Sequence, residues 1–475
     1  MDPNPPDVPL CVDLDGTLVA TDTLWESILL LLKQNILQLL LLPLWIIQGR
    51  AIFKHKIAQQ VTLEVANLPY RENVLLFLQQ EKKSGRSIIL ATAAHYSIAQ
   101  AVFTHLKLFN EVIASDAHTN MKGITKRDAL IQRFGNRGYD YMGDSTADLP
   151  IFQTARQPFL VAPTQQLLKQ IQCPPQQILA VPTHHWQTLL KAIRPHQWVK
   201  NLLIFLPLLL AHQWFDVTKW INVFLAFITF SLAASSGYIL NDLMDLAADR
   251  AHPTKKYRPF AAGLLSIPTG LILFVSLLGA SLLMSLWWLS GYFTGLIGLY
   301  LILTISYSFY LKRKLIVDVL VLAGLYTHRI LAGSVAVNAL ISSWFLAFAM
   351  FLFTSLAFLK RYVELLQLTD EKAIKHRGYE ITDIEMVASM GPTSGYLAVL
   401  VFALYINSDK VSILYPSPFF LWLVCPLLLY WISRVWFLAR RGKMLDDPVQ
   451  YALTDITSWL IVVTIIILML LAKFA

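Results

Sequence analysis

The sequence predicts two fold classes on one chain. Residues 1–185 read as a doubly wound α/β domain with a helical cap at about 20–85, and residues 186–475 as an all-α polytopic membrane domain of about nine transmembrane helices. Three observations predict this. Hydrophobic residues make up 56% of the chain and charged residues 15%, with a mean hydropathy of +0.54, which is outside the range of an ordinary soluble enzyme. Apolar density rises sharply past Arg194. Before that point, three short apolar runs each stop at a cluster of acids or hydroxyls, as buried parallel strands do when they enter ligand-binding loops.

In chain order, the opening MDPNPPDVPL is acidic and proline-rich and lacks the basic start and apolar run of a secretory signal, so the N-terminus is expected in the cytosol. The first strand run, Pro9 to Leu14, enters Asp13-Leu14-Asp15-Gly16-Thr17. A second, Ser87 to Leu90, ends at Ala91-Thr92-Ala93, and a third, Tyr139 to Met142, ends at Gly143-Asp144-Ser145-Thr146-Ala147-Asp148. The stretch 24–48 is apolar enough to suggest a span, but Lys33, Gln34 and Asn35 interrupt it, and one crossing there would split a single site across the membrane. It reads as two amphipathic helices that either rest on the membrane surface or form a buried cap. A Gln/Pro-rich linker from Thr164 to Pro182 closes the domain.

Apolar stretches follow at about 198–214, 219–240, 267–288, 291–311, 315–337, 343–360, 389–407, 417–438 and 454–473, the first and sixth being short. Most approach the roughly 20 residues a helix needs to cross the hydrocarbon core. With the N-terminus inside, alternate connections carry Arg250, Lys255, Lys256, Arg258; Lys312, Arg313, Lys314; Lys360, Arg361, Lys372, Lys375, Arg377; and Arg440, Arg441, Lys443. The other side has Lys219, Lys410 and Lys473. Retention of basic residues on the cytoplasmic side then gives a multi-pass protein of the cytoplasmic membrane, with both acidic motifs facing the cytoplasm.

Two function classes are set aside by composition. The net charge of +9 falls in the loops of the membrane half, with no basic stripe interleaved with aromatics, so no nucleic-acid partner is expected. Cys11, Cys173 and Cys425 are odd in number and far apart, which fits neither a disulfide framework nor a zinc site.

The acids suggest phosphate chemistry. Asp13 and Asp15 on a strand-to-loop turn can hold Mg²⁺ through one side chain and a backbone carbonyl, Asp144 and Asp148 complete an oxygen shell, and one carboxylate is left to attack phosphorus. These motifs and their order resemble the haloacid dehalogenase phosphatase superfamily over about residues 9–160. The resemblance implies Asp13 as nucleophile, Asp15 as general acid and base, Thr92 and Lys126 as phosphoryl ligands, and Asp144 with Asp148 on the metal.

In the membrane half, Asp242, Asp245 and Asp249 recur at helical spacing, so their carboxylates are expected on one face, needing Mg²⁺ and a diphosphate to offset them. Carboxylates at the end of a span are functional candidates. NDLMDLAADR with RPFAAG behind it resembles the UbiA prenyltransferase superfamily. RPHQWVKNLLIFLPLLL, SYSFYLKRKLIVDVL and HRILAGSVA are similar to its decaprenyl-phosphate phosphoribosyltransferase branch. That resemblance implies phosphoribosyl pyrophosphate as donor and a polyprenyl phosphate as acceptor, with Asp242, Asp245 and Asp249 on Mg²⁺ and Lys200, Asn201, Asn241, Lys256 and Arg258 meeting phosphate oxygens. A homo-oligomer is compatible with it. After the sixth span, Lys360, Arg361 and Glu364 replace the family's second aspartate-rich motif, which suits an extra phosphate. His328 and Arg329 are either paired inside the bundle or in contact with substrate.

The expectation is a bifunctional enzyme that makes polyprenylphosphoryl 5-phosphoribose and removes its 5-phosphate, supplying a lipid-carried pentose for envelope or glycan assembly. The alternative is an aromatic prenyltransferase using polyprenyl diphosphate, with a phosphatase acting on an unrelated metabolite. A non-enzymatic scaffold is disfavoured by the intact acids at both sites.

Overall fold

Six parallel strands form one sheet, with β1, β4 and β5 fully buried: β1 Leu10–Val12, β2 Ile88–His95, β3 Glu111–Ser115, β4 Asp140–Gly143, β5 Pro158–Val161 and β6 Gln177–Leu179. The computed structural model describes residues 8–171, 175–179, 185–367, 378–444 and 448–475. Cys173, parts of the expected linker, and Lys372, Lys375 and Arg377 lie outside the described residues. Strand order is β3-β2-β1-β4-β5-β6, so the chain builds outward from β1 and then returns to lay β4 against its other side. That reversal is a topological switch point, the place where doubly wound sheets bind ligands at strand carboxyl ends. Alternate side chains separate two cores. Leu10, Val12, Leu90 and Met142 face Val74 and Leu78 of the crossover helix Glu72–Lys83, while Cys11, Ile89, Tyr141 and Leu160 face Leu130 and Ile151.

Between β1 and β2 the chain builds a cap with its own small core of Ile28, Leu31, Trp45, Phe53, Ile57 and Val61. Its first helix, Thr23–Gln34, starts where Asp22 accepts from Leu24 N and Trp25 N, and it ends at Asn35, where polar Lys33 and Gln34 had broken the apolar pattern. A 3₁₀ turn Ile36–Leu41 and helices Leu42–Ile47 and Arg50–Gln60 follow. No continuous helix crosses 24–48. Leu37, Leu40, Leu44 and Ile47 remain exposed on this cap, which suits the interfacial reading.

Eight helices among the described residues are long and apolar enough to span a bilayer: Val217–Met244, Ile267–Trp288, Gly291–Phe309, Val317–Val337, Ser343–Leu366, Ile381–Ile406, Phe419–Arg440 and Ile456–Phe474. The expected sixth stretch is a full 24-residue helix. The expected first, 198–214, is corrected: it folds as a 3₁₀ run Pro195–Phe205 followed by the five-residue helix Leu206–Leu210. Pro207 lies within its first turn, where the missing N–H is tolerated, and a 3₁₀ segment does not extend into a long α-helix. Gly391 and Gly395 let Ile384–Ile406 approach Val424–Arg440 closely; a Cβ on Gly391 would lie 2.0 Å from the Trp436 ring, and one on Gly395 would lie 2.6 Å from Ile432.

Two compact units result: Met1–Arg194 with Tyr238–Val275, and Pro195–Gly237 with Ser276–Ala475. Tyr238–Val275, read from sequence as part of the membrane half, thus folds with the N-terminal residues. Lys33 Nζ donates to Met244 O at 3.0 Å, and Gly263 is packed so tightly on Ala20 that a Cβ would come within 2.4 Å of its carbonyl oxygen.

Candidate functional site

The switch point gathers the first set of acids. Asp13 follows β1 directly and Asp144 follows β4, and Asp148 comes one turn later. Oxygens of these three carboxylates lie within 4.8 Å of one another. Lys126, from helix Ile124–Phe134 and 1% exposed, reaches them from below: Nζ is 3.0 Å from Asp13 Oδ1 and 3.5 Å from Asp148 Oδ1, and donates to Tyr141 Oη at 2.8 Å. Tyr141 Oη and Ser145 Oγ donate to Asp148 at 3.0 and 2.8 Å, and Thr17 Oγ1 donates to Asp144 at 3.2 Å. Gly16, at φ +77°, permits the turn; a Cβ there would sit 2.1 Å from Asp144 Oδ2.

Charge at this cluster is unbalanced. Burial pushes Asp13 up to about 6 against the pull of Lys126, and pushes Asp144 up to about 7 with help from Asp13 and Asp148. Burial alone would discharge Lys126, but Asp13 and Asp148 outweigh it and hold its pKa above the ordinary lysine value. One lysine therefore faces three clustered carboxylates. Hard oxygen donors with excess negative charge are the ligand set Mg²⁺ takes, so Asp13, Asp144 and Asp148 fit that ion. Asp15 stands outside the three-carboxylate group: its Oδ1 accepts from Thr23 N at 2.8 Å, and burial with Asp22 nearby pushes it up to about 8. A carboxyl whose pKa is raised in this way can both give and take a proton near neutral pH.

These groups line a cleft of about 450 Å³, within the size range of small-molecule sites. Its walls include Lys54 and Arg71 from the cap side, Ala93 to His95 after the centre of β2, and Gly263 and Ser266. Thr92 is fully buried, its Oγ1 accepting from Ala94 N at 3.0 Å, so it supports the wall from behind. Sequence reading missed Tyr141, whose hydroxyl lies under the acids; the signal available was a hydroxyl-bearing ring in the strand that leads to Asp144.

The second set of acids is held by arginines. Arg194 Nη2 donates to both oxygens of Asp242 at 2.6 Å, and Arg258 Nη1 donates to Asp242 Oδ1 at 3.1 Å and to Asp249 Oδ2 at 2.7 Å. Asp242 and Asp249 are 2% and 4% exposed. Asp245 is separate, because the span Val217–Met244 ends just before it and the chain restarts at Leu246–Ala251; its partner is Lys33 at 3.6 Å. The expected single acidic face is therefore a bridged pair plus one. The guanidinium between Asp242 and Asp249 occupies the place of a bridging cation, and two buried carboxylates have the donor chemistry Mg²⁺ accepts. Asn241 supplies the carbonyl that accepts from Asp245 N at 2.9 Å, and Lys256 is exposed beside Tyr257. Arg194 was not singled out from sequence, although it opens the RPHQWVKN block.

In the second unit, two predicted phosphate ligands are engaged internally. Asn201, 1% exposed, donates from Nδ2 to Ser231 Oγ at 2.9 Å and accepts from Arg329 Nε at 2.8 Å. Arg361, 2% exposed, gives Nε to Asp318 Oδ2 at 2.5 Å, Nη1 to Glu364 and Nη2 to Tyr307 Oη at 3.1 Å. Tyr379 Oη also donates to Asp318, at 2.7 Å. Asn201 and Arg361, expected to meet phosphate oxygens, are thus engaged within their own unit, where carboxylates and hydroxyls accept the hydrogen bonds of the buried guanidinium. Arg329 is paired inside its bundle, over the rings of Phe230, Tyr300 and Tyr326. Lys200 and Lys360 are half-buried on Pro195–Phe205 and Ser343–Leu366.

The model of the UbiA prenyltransferase family matches residues 202–454, more than half of the chain. The chain belongs to the UbiA prenyltransferase family. As a member, it is a multi-pass membrane protein of a transferase family, with an α/β domain ahead of the matched region. It is 35% identical over 466 residues to the uncharacterized protein y4nM of Sinorhizobium fredii, covering 96% of this chain and 89% of that one. Nodulation protein NoeC of Azorhizobium caulinodans is 38% identical over 276 residues, 58% of this chain and 89% of that protein. Decaprenyl-phosphate phosphoribosyltransferase of Mycolicibacterium smegmatis is 39% identical over 195 residues, 40% of this chain and 60% of the relative.

Proposed function

We propose that this UbiA family member transfers 5-phosphoribose from phosphoribosyl pyrophosphate to a polyprenyl phosphate and then removes the 5-phosphate to leave polyprenylphosphoryl ribose. One observation carries the reading: a clustered set of acids around a lysine and an arginine-bridged acid pair fold within one compact unit. The similarity to a decaprenyl-phosphate phosphoribosyltransferase, at 39% identity, supports the choice of donor and acceptor.

In the transfer step the bond between ribose C1 and the diphosphate breaks while an oxygen of the lipid phosphate bonds to C1. Positive charge develops on the ring carbon, and negative charge moves to the departing diphosphate. Asp242 and Asp249 would hold Mg²⁺, which supplies charge neutralisation to the diphosphate. Arg258 and Arg194, both within hydrogen-bond reach of Asp242, are the donors for diphosphate oxygens, joined by Asn241 and Lys256.

In the hydrolytic step the Asp13 carboxylate attacks the 5-phosphate, and the bond from phosphorus to the sugar 5-oxygen breaks. Asp15 gives that oxygen its proton. Asp15 then takes a proton from the water that attacks the aspartyl-phosphate, releasing inorganic phosphate and restoring Asp13. Lys126, 3.0 Å from Asp13, neutralises phosphoryl charge, and Thr92 supports the wall that orients it. Asp13, Asp144 and Asp148, with the Asp15 carbonyl, would hold Mg²⁺ there. In this reading both sites face the cytoplasm, as the basic loops indicate.

The test is a lipid-product assay on the purified protein in detergent, with Mg²⁺, a polyprenyl phosphate and ribose-labelled phosphoribosyl pyrophosphate. Wild type places label in a dephosphorylated lipid. Asp13→Asn stops at the phosphorylated lipid, and Asp242→Asn places no label in lipid. Absence of label in lipid with wild type sinks the reading in favour of an aromatic acceptor and a prenyl diphosphate donor.

A further inference from the structure

The short helix Leu246–Ala251 carries two adjacent side chains with different duties. Asp249 belongs to the arginine-bridged acid pair. Arg250 turns instead toward the cap: its Nη1 and Nη2 donate to Glu26 Oε2 and Oε1 at 3.1 and 2.6 Å, and its Nε donates to Ala261 O at 2.9 Å. The Arg250 and Glu26 side chains are 8% and 7% exposed, so this is a buried, two-pronged ion pair whose geometry is fixed rather than a screened surface contact.

Glu26 passes the constraint on. Its Oε1 accepts from Thr21 Oγ1 at 2.7 Å, and Thr21 O accepts from Gly16 N at 3.1 Å. The same turn presents Thr23 N to Asp15 Oδ1 at 2.8 Å. A continuous series of bonds thus runs from Arg250 through Glu26 and Thr21 to the turn that orients Asp15. Thr21 and Asp15 both line the cleft.

We propose that Arg250 is a positioning residue for proton delivery in this cleft: it fixes, through Glu26 and Thr21, the turn that aims the Asp15 carboxyl at the leaving oxygen. The proposal rests on the phosphatase reading above. A proton donor must stay within hydrogen-bond reach of the oxygen it serves, so a side-chain brace on the turn that carries it bears directly on its placement. A residue contributed from the far side of a membrane span in sequence thereby tunes the acid of the N-terminal domain.

Leaving-group dependence separates aiming of the acid from general integrity. A sugar alkoxide is too basic to leave without a proton, whereas para-nitrophenolate leaves as the anion. The full-length protein in detergent with Mg²⁺ is assayed on ribose 5-phosphate and on para-nitrophenyl phosphate, with Asp15→Asn setting the ratio for loss of the acid. Arg250→Met is expected to lower ribose 5-phosphate turnover about 10- to 100-fold, with para-nitrophenyl phosphate turnover little changed. Thr21→Val is expected to act in the same direction, and Arg250→Lys, which keeps a cation for Glu26, to recover part of the loss. Equal loss on both substrates in Arg250→Met and Thr21→Val would assign these residues to structure alone and overturn the proposal, as would no loss on either. Wild type inactive on both substrates, with labelled lipid still accumulating in its phosphorylated form, would remove the phosphatase reading itself, and the proposal with it.

Discussion

Replacing Gly16 by alanine tests the placement of Asp144 more sharply than deleting the acid. A Cβ at Gly16 would stand 2.1 Å from Asp144 Oδ2 and 2.7 Å from its carboxyl carbon, whereas ordinary contact begins at 3.4 Å. The carboxylate must therefore retreat by about 1.3 Å, and a misplacement of about 1 Å can cost about 10²-fold in rate. The substitution also forces an L side chain into φ +77°, at a cost of about 1–2 kcal/mol. Gly85 separates the two effects, because it has φ +86° with nothing within 4 Å of its Cβ position. Gly85→Ala should lose about the same stability and keep phosphatase kinetics, while Gly16→Ala should lose about 10²-fold in turnover and need more Mg²⁺ for half-saturation. The assay is phosphate release from ribose 5-phosphate across a Mg²⁺ titration, with thermal unfolding in parallel. Unchanged turnover and Mg²⁺ dependence in Gly16→Ala would refute the assignment of Asp144 to the metal shell.

Further outcomes follow from the same geometry. Arg361→Met should destabilise the membrane unit by about 3–5 kcal/mol, because it leaves Asp318 and Glu364 without their guanidinium, and Arg361→Met combined with Asp318→Leu should recover part of that; thermal unfolding in detergent reads both. Gly391→Leu should separate Ile384–Ile406 from Val424–Arg440, since a Cβ alone already meets Trp436 at 2.0 Å, and should appear as lost detergent-resistant folded protein. Removing divalent cations with a chelator should abolish both label transfer to lipid and phosphate release, with Mg²⁺ restoring both; transfer that persists would detach Asp242 and Asp249 from metal binding.

Short-range physics was legible in the sequence, and long-range pairing was not. Asp13 and Asp144 end apolar runs, so their places at strand ends could be read directly, and Lys33 to Asn35 marked a helix end inside an apolar stretch. Most spans follow from length and hydropathy alone. The stretch 198–214 failed because hydropathy does not distinguish a 3₁₀ run from a full helix, even with Pro195 and Pro207 in view. Asp245 left the expected acidic face because the helix breaks beside it, and a seven-residue spacing rule assumes that it does not. Arg361 reads as a ligand for an extra phosphate until Asp318, 43 positions earlier, is seen against it. An acid inside an apolar run was the signal for that partner. The pairings of Arg194 with Asp242 and of Arg250 with Glu26 join distant segments and carry no periodicity at all.

The unit that joins Met1–Arg194 to Tyr238–Val275 sets an order of events during synthesis. Residues of β1 to β6 leave the ribosome before Val217–Met244 does, and the sheet has its own core with which to fold early. Glu26, Lys33 and Ala20 then wait for partners that arrive only once the first long apolar helix has been made and has emerged behind them. The nascent N-terminal domain is thus an unfinished unit, and its packing is completed only after that apolar helix has been made.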